Sequence, residues 1–516
     1  MYAFLRTPLS GKRLSILKII LLSPVFLFSV LAACGWGEKE KSRPNFLIIM
    51  SDNQSWNHLG AYGDPVVRTP HIDEVAQSGV RFTHAFCSSP SCTPARAALL
   101  TGQEIYRLGE GANLWGTLPL EFKTYPDLLE EAGYRVGYEG KGWGPGNVEA
   151  SGRKRNPGGD FYKSFASFLA GNKTEGKKPW TYWFSSKHPH RPYQVGSGTR
   201  AGIDSSAIRV PSYLPDVAAT KGDIGDYYAA IQYFDQETGR LLEELKKSGE
   251  FENTVIIICS DNGWQMPRGL ANLYDFGTRV PLIISWAGLV RSGRTVEDII
   301  SLNDVAPTLL ELAGVPVPVS YTARSLVPLL SAPQSGRLDK TRNFTVMARE
   351  RHAFVRQHGL GYPGRAIRTH DFLFIRNMEP DRWPAGDPPL FGDVDAHMLH
   401  YAAPTKLYML EHRDDPKVAP LFHMAFDKRP AEELYDLRND PDQTVNLAQD
   451  SRYRKTKNSL NRQLTAYLKK TNDPRMTGED LIWDKATYYE PRDFTPRPSE
   501  QARKALHLKE VYDYRK

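Results

Sequence analysis

From Pro44 to about Ser335 short apolar runs alternate with segments whose apolar residues recur at helical spacing, the pattern of a doubly wound α/β sheet. Strands are predicted at Phe46 to Met50, Val80 to Phe86, Arg135 to Tyr138, Thr181 to Ser185, Thr254 to Cys259 and Pro281 to Ser285. Between them, Tyr125 to Gly133 reads as a helix closed by glycine, and Gly222 to Gly249 as a long one. In the long one Tyr227, Ile231, Phe234, Leu241, Leu242 and Leu245 fall near a period of 3.6 residues and form its expected core face. The proline- and glycine-containing stretch Ser331 to Lys340 marks a boundary between a domain over 45–335 and a smaller one over 341–516. The second carries strand patterns at Phe344 to Ala348, Ala366 to Thr369 and Phe372 to Arg376, then a helix-forming region from Asp450 to Lys470.

Two predicted strands end alike, in Ser51-Asp52-Asn53 and in Ser260-Asp261-Asn262-Gly263. Open α/β sheets place their sites at the carboxyl ends of strands, so these two Asp-Asn pairs are candidates for one site. An asparagine after a strand also serves as a turn former, a reading open to Asn53 alone but poor for all four residues.

A chain of 516 residues exceeds one ordinary domain, and 41% hydrophobic with 24% charged residues is the composition of a globular enzyme. The formal charge of +7 changes meaning at the start of the chain, where Arg6, Lys12, Arg13 and Lys18 precede Cys34 with no acid among them. Without them 7 − 4 leaves +3, which gives no reason to expect nucleic acid as a partner. The basic stretch, the apolar run Ile19 to Ala33 and then Leu31-Ala32-Ala33-Cys34-Gly35 read as a lipoprotein export signal over 1–33. Cys34 would be lipidated and would tether the protein to a membrane, in the periplasm or at the cell surface, through the linker 34–44. An uncleaved N-terminal anchor is the alternative, although the apolar run is short for a full span. Either way the body works outside the cytoplasm. Of the other cysteines, Cys259 sits in an apolar strand and reads as a buried small residue, with Cys87 left over.

The remaining cysteine lies in Cys92-Thr93-Pro94-Ala95-Arg96, with good helix formers through Leu100. Pro94 reads as a first helical residue, which puts Cys92 at a helix N-terminus, a place that favours anions. The pentapeptide fits the CxPxR signature at which sulfatases oxidise a cysteine to formylglycine. The chain resembles a type I sulfatase of the alkaline phosphatase-like superfamily over nearly all of residues 44–450. Further matches carry that resemblance: Asn45 to Asn53, Thr69-Pro70-His71-Ile72-Asp73, Gly140-Lys141, Pro189-His190-Arg191-Pro192, Ser260 to Gly263, Leu273 to Pro281 and Glu433 to Leu437. Within the family, Arg349-Glu350-Arg351-His352, Leu360 to Pro363 with Arg365, and Arg376 to Pro384 are similar to heparan N-sulfatase (sulfamidase)-like proteins and related bacterial polysaccharide sulfatases.

The resemblance implies an α/β fold with a large mixed, mostly parallel sheet between helices and a smaller C-terminal α+β domain carrying an antiparallel sheet. It implies a sulfatase for sulfated glycans, O- or N-sulfated, whose nucleophile is the hydrated aldehyde made from Cys92 by a formylglycine-generating enzyme. One divalent cation per chain is implied at Asp52, Asn53, Asp261, Asn262 and the modified Cys92. These oxygen ligands favour a hard ion, Ca2+ over zinc. Arg96 is implied to hold the nucleophile, Lys141 to pair with its hydroxyl or with sulfate, and His190 to bind sulfate and act as general acid. Arg349, Arg351, His352 and Arg365 are expected to recognise an anionic sugar, unless they pair with Glu350, Asp371 and other local acids.

Three departures stand out. Sulfatases commonly have a second aspartate where this chain has Asn53. A histidine two residues past the lysine is replaced by Trp143, and a cation shortly before the Leu-Tyr pair by Leu270. Arg268, Lys187 or His188 are near enough in sequence to substitute. Two alternatives stay open: a phosphodiester or phosphonate monoester hydrolase of the same superfamily, and a glycan-binding lipoprotein that has lost catalysis.

Overall fold

The computed structural model describes residues 43–393, 403–478, 482–508 and 512–516. The predicted leader, Cys34 and nearly all of the linker lie outside the described residues.

Nine strands form one sheet: β1 (Asn45–Ser51), β2 (Val80–Phe86), β3 (Arg135–Gly140), β4 (Asp160–Phe161), β5 (Trp180–Ser185), β6 (Thr254–Ser260), β7 (Arg279–Ser285), β8 (Arg294–Val296) and β9 (Ile300–Ser301). Their order is β4-β3-β5-β1-β6-β7-β2-β8, with β9 also beside β2. Pairing is parallel except where β7 meets β6 and β2. The sheet is therefore mixed and mostly parallel, as expected. Its central strands are buried on both faces because alternate residues enter two cores. Leu47, Ile49, Ile256 and Ile258 pack on the side of the long helix Ala218–Ser248, whose Tyr227, Ile231, Phe234, Leu241, Leu242 and Leu245 all lie in that core. Phe46, Ile48, Met50, Val255 and Ile257 pack on the other side with Ala95, Ala97, Leu99 and Leu100 of the helix Cys92–Thr101.

A second sheet holds β10 (Phe344–Arg349), β11 (Gly364–Thr369), β12 (Phe372–Asn377) and β13 (Glu432–Asp436), antiparallel and in chain order. The helix Arg454–Lys470 covers it with Leu460, Leu464 and Leu468 against Val346, Ile367, Phe374 and Leu434. The residues from Arg43 onward form one compact unit. The stretch Ser331 to Lys340 thus marks the passage from one sheet to the other rather than a separation of two bodies. Phe86, Leu273, Tyr274 and Ile299 share a core with Met347, Ala366, Leu373, Ile375 and Tyr435, which fuses the small sheet to the large one. Among the described residues no helix is long and apolar enough to cross a membrane.

Candidate active site

Strands β1 and β6 are parallel neighbours in register, with Ser51 opposite Ser260. The two Asp-Asn pairs therefore leave the sheet at the same level. Cross-links hold them there: Asn53 donates its backbone N–H to Asp261 Oδ1 at 3.0 Å, and Gln54 donates its own to Ser260 Oγ at 2.9 Å. Asn53 adopts φ 66°, in the left-handed region that asparagine tolerates better than most residues.

Cys92 is the first residue of its helix, so Pro94 is the third and not the first. Ser91 precedes it in extended conformation, and its hydroxyl meets His352 Nδ1 at 2.9 Å instead of capping the helix. Cys92 Sγ lies 3.5 Å from Asp52 Oδ1, 3.5 Å from Asn53 Oδ1 and 3.6 Å from Asn262 Nδ2. The four expected ligands converge on it. Lys141 Nζ reaches Asp52 at 2.7 and 3.0 Å and keeps 18% of its side chain exposed, so it stands at the mouth of an otherwise closed cluster. One turn into the helix, Arg96 donates Nε to Asp261 Oδ2 at 2.8 Å, and one terminal nitrogen to Gly142 O at 2.7 Å and to Ser185 Oγ.

Burial raises the pKa of both aspartates, but the outcomes differ. At Asp52 the cations Lys141, His190 and Arg96 outweigh burial and hold the carboxyl below the usual range. At Asp261 burial, reinforced by Asp52, wins over Arg96 and Lys141 and the pKa rises. Burial and the neighbouring Asp52 thus disfavour charge on Asp261, while Lys141, His190 and Arg96 keep Asp52 ionised. Ligand atoms of Asp52, Cys92 and Asp261 lie within 4.8 Å of one another, and Asn262 Oδ1 is buried with no hydrogen-bond partner. Carboxylate and amide oxygens with one orphaned acceptor fit a hard divalent ion.

His190 stands beside the cluster: its Nδ1 meets Arg191 O, and Gln265 Nε2 lies 3.4 Å from its Nε2. Gln265 also accepts the Arg191 N–H, so it braces the loop that presents the imidazole. Neither Gln265 nor Ser185 carries a sequence signal, because neither an amide nor a strand-end serine belongs to a recognisable pattern. Gly140 signals the close approach near Ser185: at φ 81° a Cβ there would lie 2.1 Å from Ser185 O.

Of the two readings of the second-sheet arginines, the structure favours pairing within the protein over sugar recognition. Arg349 is buried against Asp393 and Pro384 O. Arg365 pairs with Glu350 and Asp473, both at 2.7 Å. Arg351 donates to the carbonyls of Gly359, Ala486 and Thr487. All three are buried and hydrogen-bonded to protein acceptors, with Nε of Arg349 and of Arg351 left without a hydrogen-bond partner. His352 is 4% exposed, and its Nδ1 meets the hydroxyl of Ser91, the residue before the nucleophile. Arg268 does not replace the missing cation either. Its φ of 65° turns it onto the Tyr274 ring, 3.9 Å away, with its nitrogens on Met424 O and Gln443 O. Lys187 is exposed, and the His188 ring lies 4.5 Å from that of Tyr233 at a tilt of 55°. Trp143 and Leu270 are buried, 2% and 3% exposed, so the two departures are filled with apolar bulk. Cys87 and Cys259 are free and buried.

Comparison with known proteins agrees with this geometry. The sulfatase family model matches residues 44–315, and the model for the N-sulphoglucosamine sulphohydrolase C-terminal region matches residues 268–385. Human N-sulphoglucosamine sulphohydrolase is 28% identical over 86% of this chain and 93% of its own length. An ulvan-active sulfatase of Formosa agariphila is 27% identical over 91% of this chain and 90% of its own. Among solved structures, a protein in complex with its substrate D-glucosamine-2-N,6-O-disulfate superposes with a TM-score of 0.60 at 21% identity, covering 85% of this chain and all of that one. The likeness of that structure establishes the shared fold. With the family model spanning more than half of the chain and two strand-end Asp-Asn pairs closing on Cys92, the chain belongs to the sulfatase family and is a sulfatase.

Proposed function

We propose that this protein is an exported, lipid-anchored sulfatase that removes sulfate, as ester or N-sulfate, from sulfated glycans such as glycosaminoglycans or algal polysaccharides. The convergence of Asp52, Asn53 and Asn262 on Cys92 Sγ within 3.6 Å carries the reading. The names of the relatives, an N-sulphoglucosamine sulphohydrolase and an ulvan-active sulfatase, support the substrate class.

Cys92 is oxidised to formylglycine, and one hydroxyl of the hydrated aldehyde attacks sulfur. Asp52, Asn53, Asp261 and Asn262 would hold a calcium ion, which when bound supplies charge neutralisation for the sulfate oxygens and acidifies the nucleophilic hydroxyl. Arg96 keeps the Asp261 carboxylate aimed at the cluster. Lys141, part-exposed beside Asp52, meets the incoming sulfate. His190 protonates the departing sugar oxygen or amine, with Gln265 restraining its ring. The second hydroxyl then loses its proton to solvent, its oxygen becomes the carbonyl oxygen, and the carbon–oxygen bond to sulfate breaks, which releases sulfate and restores the aldehyde.

The buried Trp143 and Leu270 favour one second reading, a glycan-binding protein with lost or slow turnover, because they stand where the family resemblance implies a histidine and a cation. Mass spectrometry of the Cys92 peptide from protein made in its own host, paired with release of sulfate from an aryl sulfate and from sulfated disaccharides, separates the two. An aldehyde and sulfate release, both absent in Cys92→Ala, support the sulfatase. A plain thiol in host-made protein, or release that survives Cys92→Ala, refutes the mechanism. Faster hydrolysis of a phosphodiester than of any sulfate would reassign the substrate.

A further inference from the structure

The helix Arg454–Lys470 bears Arg454, Lys455, Lys457, Arg462, Lys469 and Lys470 and no acidic residue in 17 positions. Its buried face is Leu460, Leu464 and Leu468. Opposite that face, Lys455, Arg462 and Lys469 are exposed and seven residues apart. Two turns of helix separate neighbours, about 10 Å at 1.5 Å per residue, and successive cations drift only about 20° around the axis. They form a straight ladder along the outside of the small sheet.

Lys457 is neutralised by Glu432 at 2.7 Å. Among the described residues Lys455, Arg462 and Lys469, with the exposed Arg454 and Lys470, have no carboxylate within ion-pair reach. Such an arrangement does not serve stability. An exposed helix gains from Glu–Lys pairs three or four residues apart, of which this one has none. Arg454 and Lys455 also stand in the first turn, where the helix dipole disfavours cations. Nothing in the core requires these residues, since all of them lie outside it.

We propose that this ladder is an exosite for a linear sulfated polysaccharide, gripping a polymer strand through sulfates of successive units while Cys92 acts elsewhere on the chain. The proposal rests on the sulfated-glycan reading of the active site and adds a second contact with the same polymer. The step along the ladder is comparable to a disaccharide, and a row of guanidinium and ammonium groups on a rigid rod complements regularly spaced anions with little ordering cost. Two contacts on one polymer raise the effective concentration of its sulfates at the active site.

The test compares the full-length wild type, the ladder variant K455A/R462A/K469A and a control, K173A/K177A/K178A, that removes three exposed lysines elsewhere. Each is eluted from immobilised heparin by a sodium chloride gradient. The ladder variant should elute at clearly lower salt, with the control close to wild type. On a small aryl sulfate all three should turn over alike, while on sulfated polysaccharide the ladder variant should show a several-fold higher KM at unchanged kcat. Co-elution of the ladder variant with wild type, or an equal drop in the control, overturns the proposal. So does loss of pelleting with phosphatidylserine vesicles while heparin retention persists, which would make the partner a membrane. Retention needs no turnover, so an inactive enzyme that still loses heparin binding in the ladder variant refutes the catalytic reading and leaves the exosite standing.

Discussion

Arg96 and Asp261, 165 residues apart in the chain, share a 2.8 Å charge-assisted hydrogen bond with both side chains fully buried. Asp261 uses its other carboxylate oxygen to accept from Asn53. A single guanidinium thus ties the nucleophile's helix to the strand ends that supply the ligands. Removing it would leave Asp261 and Asp52 facing each other in a closed site. Arg96→Ala should destabilise the fold by about 3–5 kcal/mol, the range for breaking a buried pair from one side, and abolish turnover. Urea denaturation reads the first effect. A variant with wild-type stability would show that the arginine serves chemistry alone.

The legible part of this architecture was what repeats or alternates. Nine strands fall within two residues of their apolar runs, and the doubled Ser-Asp-Asn endings foretell a register that places Ser51 opposite Ser260. Strand β13 escaped because Glu432-Glu433-Leu434-Tyr435-Asp436 is polar. It is held by a buried carboxylate, with Tyr274 and Tyr435 each donating to Glu433 at 2.6 Å. The sequence leaves Arg349 and Arg365 open between sugar recognition and pairing with acids for a related reason. A charged residue does not announce its partner, and Asp393 and Asp473 lie 44 and 108 positions away. Clustered arginines look alike on paper whether they await a ligand or a carboxylate.

Arg365 makes the distinction measurable. It is fully buried between Glu350 and Asp473, and Arg475 braces Glu350 at 2.6 Å. Arg365→Ala should lower stability by about 3–5 kcal/mol. Whatever folded protein remains should lose aryl sulfate and polysaccharide turnover in equal proportion. A selective loss on polysaccharide would restore the arginine to sugar recognition.

Asp235, on the long helix, accepts the backbone N–H groups of Ile72 at 2.8 Å and His71 at 3.4 Å and so closes the start of the helix Pro70–Ser78. Burial pushes its carboxyl up to about 6. Because the folded pKa exceeds the unfolded one, its stabilising contribution is complete below the ordinary carboxylate range and fades as pH rises through about 6. Asp235→Asn does not titrate. The Tm of wild type minus that of the variant should therefore increase on acidification from pH about 7 to about 5. Parallel Tm profiles would place the carboxyl in a more polar setting.

Asn53 combines a left-handed backbone with a ligand position, and the two pull its chemistry in different directions. Asparagine tolerates φ 66° and offers a neutral amide oxygen 3.5 Å from Cys92 Sγ. Aspartate tolerates that conformation nearly as well, so Asn53→Asp should fold normally while adding a full negative charge among Asp52, Asp261 and Asn262. Calcium affinity rises with the number of charged ligands. Calorimetric titration of chelator-treated protein should show tighter calcium binding in the variant, with zinc weaker than calcium in both because the cluster is dominated by oxygen. Without added metal the sign reverses. Three carboxylates in one closed cluster repel one another, and the metal-free variant should melt at lower temperature than metal-free wild type. Unchanged calcium affinity in Asn53→Asp would remove Asn53 from the ligand set and leave Asp52, Asp261 and Asn262 to hold the ion.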